Sequence, residues 1–384
     1  MEETKDVLDP WIDWYVCPGS VSRRMFILSL LAAIASACSG PTTSASTKRE
    51  RDLLDKAAAL SERVSVDMHT HAGPFAGNFP FPDSARDRAA VLTHMQAGKL
   101  DAAVFSLTTD GPVIRRDPER EGVRQYREPE PGELFRNAQS RFEKAKMQIE
   151  DMIVLSPSAL VEFKKKGRHC AIVSHEGADA LEGNLSRVKV FYDWGVRSLQ
   201  FLHYRINELG DIQTEPPKHR GLTPFGRDVV KEMNRLGMII DVSHAHSQTV
   251  HGILAESRHP VIDSHTRPAA RFNYLRARSD GDLQAIAQKG GVIGMWPLAR
   301  EERGETFDDF LRDIDYVKAL VGIEHIGIGT DLNGVRTRTM IRTHKEFALI
   351  PAGLLARGYS ESDVAKIVGG NFMRIFREVA DKRG

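Results

Sequence analysis

Residues 221–270 read GLTPFGRDVVKEMNRLGMIIDVSHAHSQTVHGILAESRHPVIDSHTRPAA, and their pattern decides the fold. Thr223 can cap a helix, Pro224 suits its first position and Gly237 can end it. Between them Phe225, Val229, Met233 and Leu236 recur at helical spacing. The next apolar run, 238–244, has the length of a strand and closes on His244; a second, 259–265, closes on His265. A helix, a short apolar strand, a polar helical stretch and another short strand make successive βα units, whose strands pair in parallel.

The same unit recurs in both directions. Further strand-like runs lie at 65–71, 101–107, 170–177, 196–203, 291–296 and 325–331, with helical patterns between them. A second clear helix covers 307–320, with Phe310, Ile314, Val317 and Leu320 on one face. Eight strands alternating with helices is the number that closes an α/β (β/α)8 barrel of TIM type. A doubly wound open sheet is the structural alternative. The run 152–155 falls outside the count and reads as part of an elaborated connection. Residues 109–135 (TDGPVIRRDPEREGVRQYREPEPGELF) are charged and proline-bearing, and read as a long loop over the barrel mouth.

Composition agrees with one large barrel plus extra segments. The chain has 384 residues, with 53 Lys and Arg against 52 Asp and Glu. So even a balance removes the electrostatic reason to expect nucleic acid as a partner. Three cysteines do not make a disulfide framework. No apolar run reaches the roughly 20 residues a membrane-spanning helix needs.

The first segment reads as an address. Residues 22–28 are SRRMFIL, and 25–37 (MFILSLLAAIASA) form one uncharged, mostly apolar stretch. Two arginines, a short apolar segment and then small residues match a twin-arginine-type export signal. Residues 35–38 (ASAC) offer an A-x-A cleavage site, and also a lipobox in which Cys38 is lipidated. A short N-terminal membrane anchor is the bland alternative. The expected organisation is a signal over 1–38, a linker and leading helix over 39–62, and the barrel with a C-terminal helix over 63–384. The expected location is periplasmic, or on a membrane as a lipoprotein. Cys170 is then the only cysteine of the body, which therefore has no internal disulfide.

Six of the eight runs finish on residues able to bind metal or move protons. The first holds Asp67, His69 and His71, and the others end on Glu176, His203, His244, His265 and Asp331. In a βα barrel the C-terminal strand ends line one mouth, so these groups converge. His69 and His71 are two apart, which puts both on the same face of a strand. A single strand-end histidine is usually just a hydrogen-bonded structural residue, and Glu176 alone could sit in a surface turn. Together these histidines and carboxylates point to a metal centre. Imidazole and carboxylate without thiolate suit zinc, with manganese, cobalt or iron as substitutes. A glutamate shared by two metals fits a hydrolytic site whose nucleophile is a bridging hydroxide.

Other motifs fade. Residues 327–334 (GIGTDLNG) lack a Walker lysine and dinucleotide-loop spacing, and their glycines read as letting the backbone turn beneath Asp331. His246 and His251 read as helix surface. Ser174, Ser243 and Ser264 stand without a G-x-S-x-G elbow, which argues against a serine hydrolase.

The stretch 221–270, with VDMHTH at 66–71, SHEG at 174–177, LQFLHYRIN at 199–207, KGGVIG at 289–294, GIGTDLNG at 327–334 and GGNFMRIF at 369–376, resembles the membrane (renal) dipeptidase family of zinc metallopeptidases. The pieces stand in family order and cover 63–380. The resemblance implies an amidohydrolase-type barrel of the metal-dependent hydrolase kind, cleaving dipeptides. It implies two Zn(2+) ions per chain: one on His69 and Glu176 with His71 beside them, the other on His244 and His265, with Glu176 bridging. His203 then polarises the scissile carbonyl, Arg276 grips the substrate's carboxylate, and Asp331 meets its amino end and handles the leaving-group proton. Arg271 and Arg278 compete with Arg276 for its role. Homodimers are common in the family, and a lipidated Cys38 adds membrane as a partner.

Three positions depart from the family pattern. His71 stands where the family has aspartate, which makes the site more positive by one charge. Ala277 replaces an asparagine after the arginine, and Asn333 replaces a second aspartate. Because His-x-His is the usual first-strand pattern of the wider amidohydrolase superfamily, hydrolysis of a lactone, phosphoester or N-acyl amino acid is the alternative activity. A binding protein that has lost turnover is the alternative from another class.

Overall fold

The computed structural model describes residues 53, 56, 63–75, 87–117, 122–300, 303–334 and 339–381. The expected export signal, Cys38 and nearly all of the linker and leading helix lie outside the described residues.

Ten strands are described: β1 Val66–Thr70, β2 Ala102–Thr108, β3 Ile114–Arg116, β4 Val123–Gln125, β5 Cys170–Glu176, β6 Val196–Gln200, β7 Ile239–Asp241, β8 Ile262–Thr266, β9 Val292–Met295 and β10 Ile326–Ile328. Eight of them form one parallel sheet in the order β1-β2-β5-β6-β7-β8-β9-β10. A parallel bridge between Thr70 and Leu332 joins the two ends of this sheet. Two backbone bonds close the seam: His71 N donates to Leu332 O at 2.8 Å, and Asp331 N donates to His69 O at 2.9 Å. The outcome is the (β/α)8 barrel, not the open doubly wound sheet.

Local chemistry explains the elements. Thr223 Oγ1 accepts from Gly226 N at 3.0 Å, Pro224 opens the helix Pro224–Leu236, and Gly237 ends it at φ +72°. The helix Phe307–Val321 starts with a capping box between Thr306 and Asp309, and buries Phe310, Ile314 and Val317. The barrel strands are buried along their length, with only Thr108 at the end of β2 partly exposed, as expected when helices cover the outside of a barrel and side chains fill its inside. Val66, Ala102, Cys170, Ile239, Ile262 and Val292, the first residues of six strands, cluster with Phe372, Met373, Phe376 and Val379 of the helix Asn371–Asp381. That helix therefore closes the N-terminal end of the barrel with apolar side chains, each worth about 1.5–3 kcal/mol when fully buried. The opposite end is left for polar groups.

Two expectations need correction. Residues 109–135 are not one loop: β3 and β4 pair antiparallel, Ile114 opposite Gln125, and Arg115 covers the Tyr126 ring at 4.8 Å. The dense charge of this stretch hides its short alternating strands. Several barrel strands also stop earlier than their apolar runs. β6, β7 and β10 end three residues before His203, His244 and Asp331 respectively. His244 at φ +66° and Asp331 at φ +50° adopt left-handed backbone, which extended strand cannot include. The run 152–155 contributes a single parallel bridge, Ile153 to Ala171, in keeping with an elaborated connection.

Candidate metal centre

Glu176, the last residue of β5, carries its carboxylate into the C-terminal mouth of the barrel, and four imidazoles point their Nε2 atoms at it. His71 Nε2 lies 3.0 Å from Oε2; on Oε1, His244 Nε2 is at 3.3 Å, His69 Nε2 at 3.5 Å and His265 Nε2 at 3.7 Å. The alternation of β1 places His69 and His71 on one face, their Nε2 atoms 3.2 Å apart. His244 and His265 face each other likewise at 3.1 Å. His203 Nε2 approaches Glu176 Oε2 at 3.5 Å, and Asp331 Oδ1 lies 3.5 Å from His71 Nε2. Seven of the eight strand-end groups named from the sequence, all but Asp67, are thus brought together, and all eight are buried.

Burial is the largest influence on the charge of each group. It pulls His69 down to about 3, and holds His244 and His265 well below the ordinary imidazole value. Burial opposes charge on His71 as well, but Glu176 and Asp331 carry that residue above its ordinary value. Burial works to raise Glu176, yet His203, His69 and His71 hold its carboxyl well below the carboxylate range. Asp331 is pushed up to about 7 by burial against the pull of His71. His203 is raised to about 9: burial works against its charge, and Asp110 and Glu176 outweigh it.

These residues fit a divalent cation. His69, His244 and His265, held neutral, and Glu176, held ionised, are in the protonation states that metal ligands require, and His71 would give up a proton as an ion binds. Three sets have ligand atoms within 4.8 Å of one another: His69, His71 and Glu176; Glu176, His244 and His265; and His69, His265 and Asp331. Two neutral imidazole nitrogens that face each other at 3.1–3.2 Å share one proton, or direct two lone pairs at one ion.

Arg276 is the one of the three competing arginines that reaches the centre. Its Nη2 lies 3.2 Å from His265 Nε2, and its Nη1 donates to Gln213 Oε1. Arg278 is spent on Asp263 Oδ2 at 2.8 Å and two backbone carbonyls, and Arg271 on Asp313 Oδ1 at 2.7 Å. His251 is on the exposed surface of the helix Ser247–Glu256, as expected, and pairs with Asp282 at 3.2 Å; His246 stands just before that helix and caps it.

Three contributors escaped the sequence reading. Asp110, two residues beyond β2, accepts from His203 Nδ1 at 2.8 Å and from Tyr204 N at 3.0 Å. Gln213 ties Arg276 to the backbone: its Nε2 donates to Ala277 O at 3.2 Å and its N to His244 O at 2.8 Å. The third is His344, whose Nε2 faces Asp67 Oδ2 at 2.9 Å; Asp67, which the sequence grouped with the strand-end residues, also accepts from Thr330 N at 2.9 Å and belongs to none of the three ligand sets. The polar tail Thr108-Thr109-Asp110 on an apolar strand was the signal for the first. Gln213 sits in a turn and His344 opens the short 3-10 helix His344–Glu346, and neither carried one.

Fold and site together define a βα-barrel protein of the metal-dependent hydrolase class. A sequence model of the membrane dipeptidase family (peptidase family M19) matches residues 86–383, and the chain belongs to that family. The matched segment begins after β1, so His69 and His71 lie outside it. Dipeptidase tcpJ of Claviceps purpurea (strain 20.1) is 32% identical over 223 residues, 56% of this chain and 52% of that protein. The chain thus spans about half the length of the curated relatives it matches. Among solved structures, an amidohydrolase from Pseudomonas aeruginosa is similar with a TM-score of 0.69 and 26% identity, over 85% of this chain and 99% of that one. The probable dipeptidase PvdM of the same organism shares the fold, with a TM-score of 0.71 at 24% identity over 86% and 99%.

Proposed function

We propose that this chain hydrolyses the amide bond of dipeptides with zinc as its metal, two ions per chain. The observation that carries the reading is a single buried carboxylate, Glu176, ringed by four imidazoles with a buried guanidinium on one side and a buried carboxyl on the other. His69, His71 and Glu176 would hold one ion, and Glu176, His244 and His265 the other. When bound, the metal supplies Lewis-acid activation of water and of the scissile carbonyl.

The chain's own groups do the rest. Arg276, on the His265 side, offers a fixed guanidinium for the substrate's terminal carboxylate. Asp331, on the His71 side, receives the amino end and passes a proton to the leaving amine. His203, held charged by Asp110, presents Nε2 to the carbonyl oxygen and steadies the negative charge that develops there. With both charged ends fixed, a chain longer than about two residues loses one anchor. Burial of every member excludes bulk water and strengthens these interactions.

The test uses purified protein and a panel of L,L and L,D dipeptides with and without chelator. Turnover lost on chelation and restored by zinc supports the reading; zinc-loaded protein idle on every dipeptide overturns it. The His69-x-His71 pair favours a second reading, hydrolysis of another small amide, lactone or phosphoester, and the same protein on those substrates separates the two.

The Arg23-Arg24 signal and Cys38 support export and lipidation as a further part of the proposal. A mature N-terminus at Cys38 carrying acyl mass, seen in the membrane fraction, supports it. An intact N-terminus on cytoplasmic protein overturns it.

A further inference from the structure

Two buried serines that no step of the proposed mechanism uses stand directly behind the ligand ring. Ser264 Oγ lies 3.0 Å from His265 Nδ1 and 3.3 Å from His69 Nδ1, so one hydroxyl reaches the far nitrogen of two imidazoles. The same oxygen lies 3.2 Å from Ser243 Oγ. Ser243 Oγ donates to Asp263 Oδ1 at 2.6 Å, and Asp263 Oδ2 accepts from Arg278 Nε at 2.8 Å. We propose that Ser264 is a positioning residue that fixes His69 and His265 as the tautomers bearing hydrogen on Nδ1, with both Nε2 lone pairs turned to the centre. The inference rests on the two-ion reading, in which His69 belongs to one set of ligands and His265 to the other.

A guanidinium only donates, and Arg276 Nη2 is 3.2 Å from His265 Nε2, so that nitrogen is the bare one and Nδ1 holds the hydrogen. Ser264 Oγ therefore accepts from His265. Its own single hydrogen has two places to go, His69 Nδ1 or Ser243 Oγ. Donation to His69 would put that ring's hydrogen on Nε2 and close its lone pair to any ion. Ser243 resolves the choice. A carboxylate accepts, so the Ser243 hydrogen is committed to Asp263, and the bond it makes there strengthens Ser243 Oγ as an acceptor. Ser264 then donates to Ser243 and accepts from both rings, which uses the one hydrogen and two lone pairs of a hydroxyl in full. Ser243 Oγ is likewise filled, because it also accepts from His265 N at 3.1 Å. Ser243 N and Ser264 N both donate to Asp241 Oδ1 at 3.0 Å, which holds the two serines in place. His244 Nδ1, by contrast, is buried without a hydrogen-bond partner, so His265 is the ordered imidazole of its set.

The experiment records long-range proton–nitrogen NMR spectra of the imidazoles in metal-free full chain carrying isotope-labelled histidine, beside calorimetric zinc titrations. Wild type, Ser264→Ala and Ser243→Ala are compared, with the two rings assigned from His69→Gln and His265→Gln. Wild type is expected to show Nδ1–H on both rings. Ser243→Ala frees the Ser264 hydrogen to turn to His69, so His69 alone should switch to Nε2–H while His265, held by Arg276, keeps Nδ1–H. A merely structural loss would not produce that asymmetry. Ser264→Ala should leave His69 without a fixed tautomer and weaken zinc binding by about tenfold or more. Nε2–H on either ring of wild type, or the same tautomers in all three proteins, overturns the proposal, as does equal zinc affinity in wild type and Ser264→Ala. If Ser264→Ala fails to fold, the Ser243→Ala spectrum decides. If wild type binds no zinc, it is the metal reading that falls, and the spectra of metal-free protein still decide the role of Ser264.

Discussion

Asp331 Oδ1 stands 3.5 Å from Nε2 of His71, across the seam where the last strand of the barrel meets the first. His71 brings an imidazole and no anion to the first of the two proposed metal positions. The Asp331 carboxylate supplies a negative group on that side.

The first prediction follows from that pairing. Asp331→Asn should weaken zinc binding by about tenfold or more, in the range seen when a supporting carboxylate is removed from a metal site. His71→Asp, which restores an anion, should bind zinc at least as tightly as wild type. Calorimetric titration of metal-free protein checks both, and equal affinity in all three proteins rules out charge compensation.

Asp110 acts on His203 through Nδ1, at 2.8 Å. Asp110→Asn should lower kcat by about 10- to 100-fold while zinc per chain stays unchanged. Elemental analysis beside steady-state kinetics reads the split. A parallel loss of metal would mean that Asp110 merely supports the fold of the centre.

Gln213 holds Arg276 while donating to Ala277 O. Gln213→Ala should raise KM for dipeptides with a free carboxylate by about tenfold and change kcat little, the pattern of lost uniform binding. An unchanged KM would show that Arg276 keeps its aim without this partner.

Gly334 leaves no room for a side chain: a Cβ there would sit 1.8 Å from Asp331 Oδ1 and 2.6 Å from the His71 ring. Gly334→Ala should therefore cost both activity and zinc affinity while thermal stability falls only modestly. Wild-type kinetics in this variant would show that the loop yields without moving Asp331.

Cys170 is buried, and burial pushes its thiol up to about 12. A thiol that stays protonated is a poor nucleophile. Iodoacetamide at pH 8 should leave the peptide containing Cys170 unlabelled in folded protein and label it after denaturation, as peptide mass spectrometry reads.

The sequence carried a large part of this architecture because its signals are local. Pro224 and Gly237 bracket a helix wherever they occur, and the two-residue spacing of His69 and His71 fixes their shared face. Strand ends were overextended at His203, His244 and Asp331; at His244 and Asp331 the chain enters left-handed turns that only backbone geometry reveals. The choice among Arg271, Arg276 and Arg278 could not be read, since it depends on Asp313 and Asp263 from other elements. Asp110 and Gln213 were missed for the same reason: each matters through a partner far along the chain, His203 from 93 residues away and Arg276 from 63.

The two bonds that close the barrel, Asp331 to His69 and Leu332 to His71, join backbone on either side of the same side chains that crowd Glu176. Partners 262 residues apart in the chain must therefore meet before the centre exists. Contacts of such long separation form late in folding, because loop-closure entropy delays them. A nascent chain emerging from the ribosome has no partly working version of this site: with its last sixty or so residues still hidden, it has neither the seam that holds β1 in place nor Asp331. The groups around Glu176 are thereby assembled only at the end of folding, and a truncated or misfolded copy is left without the arrangement that the proposed chemistry needs.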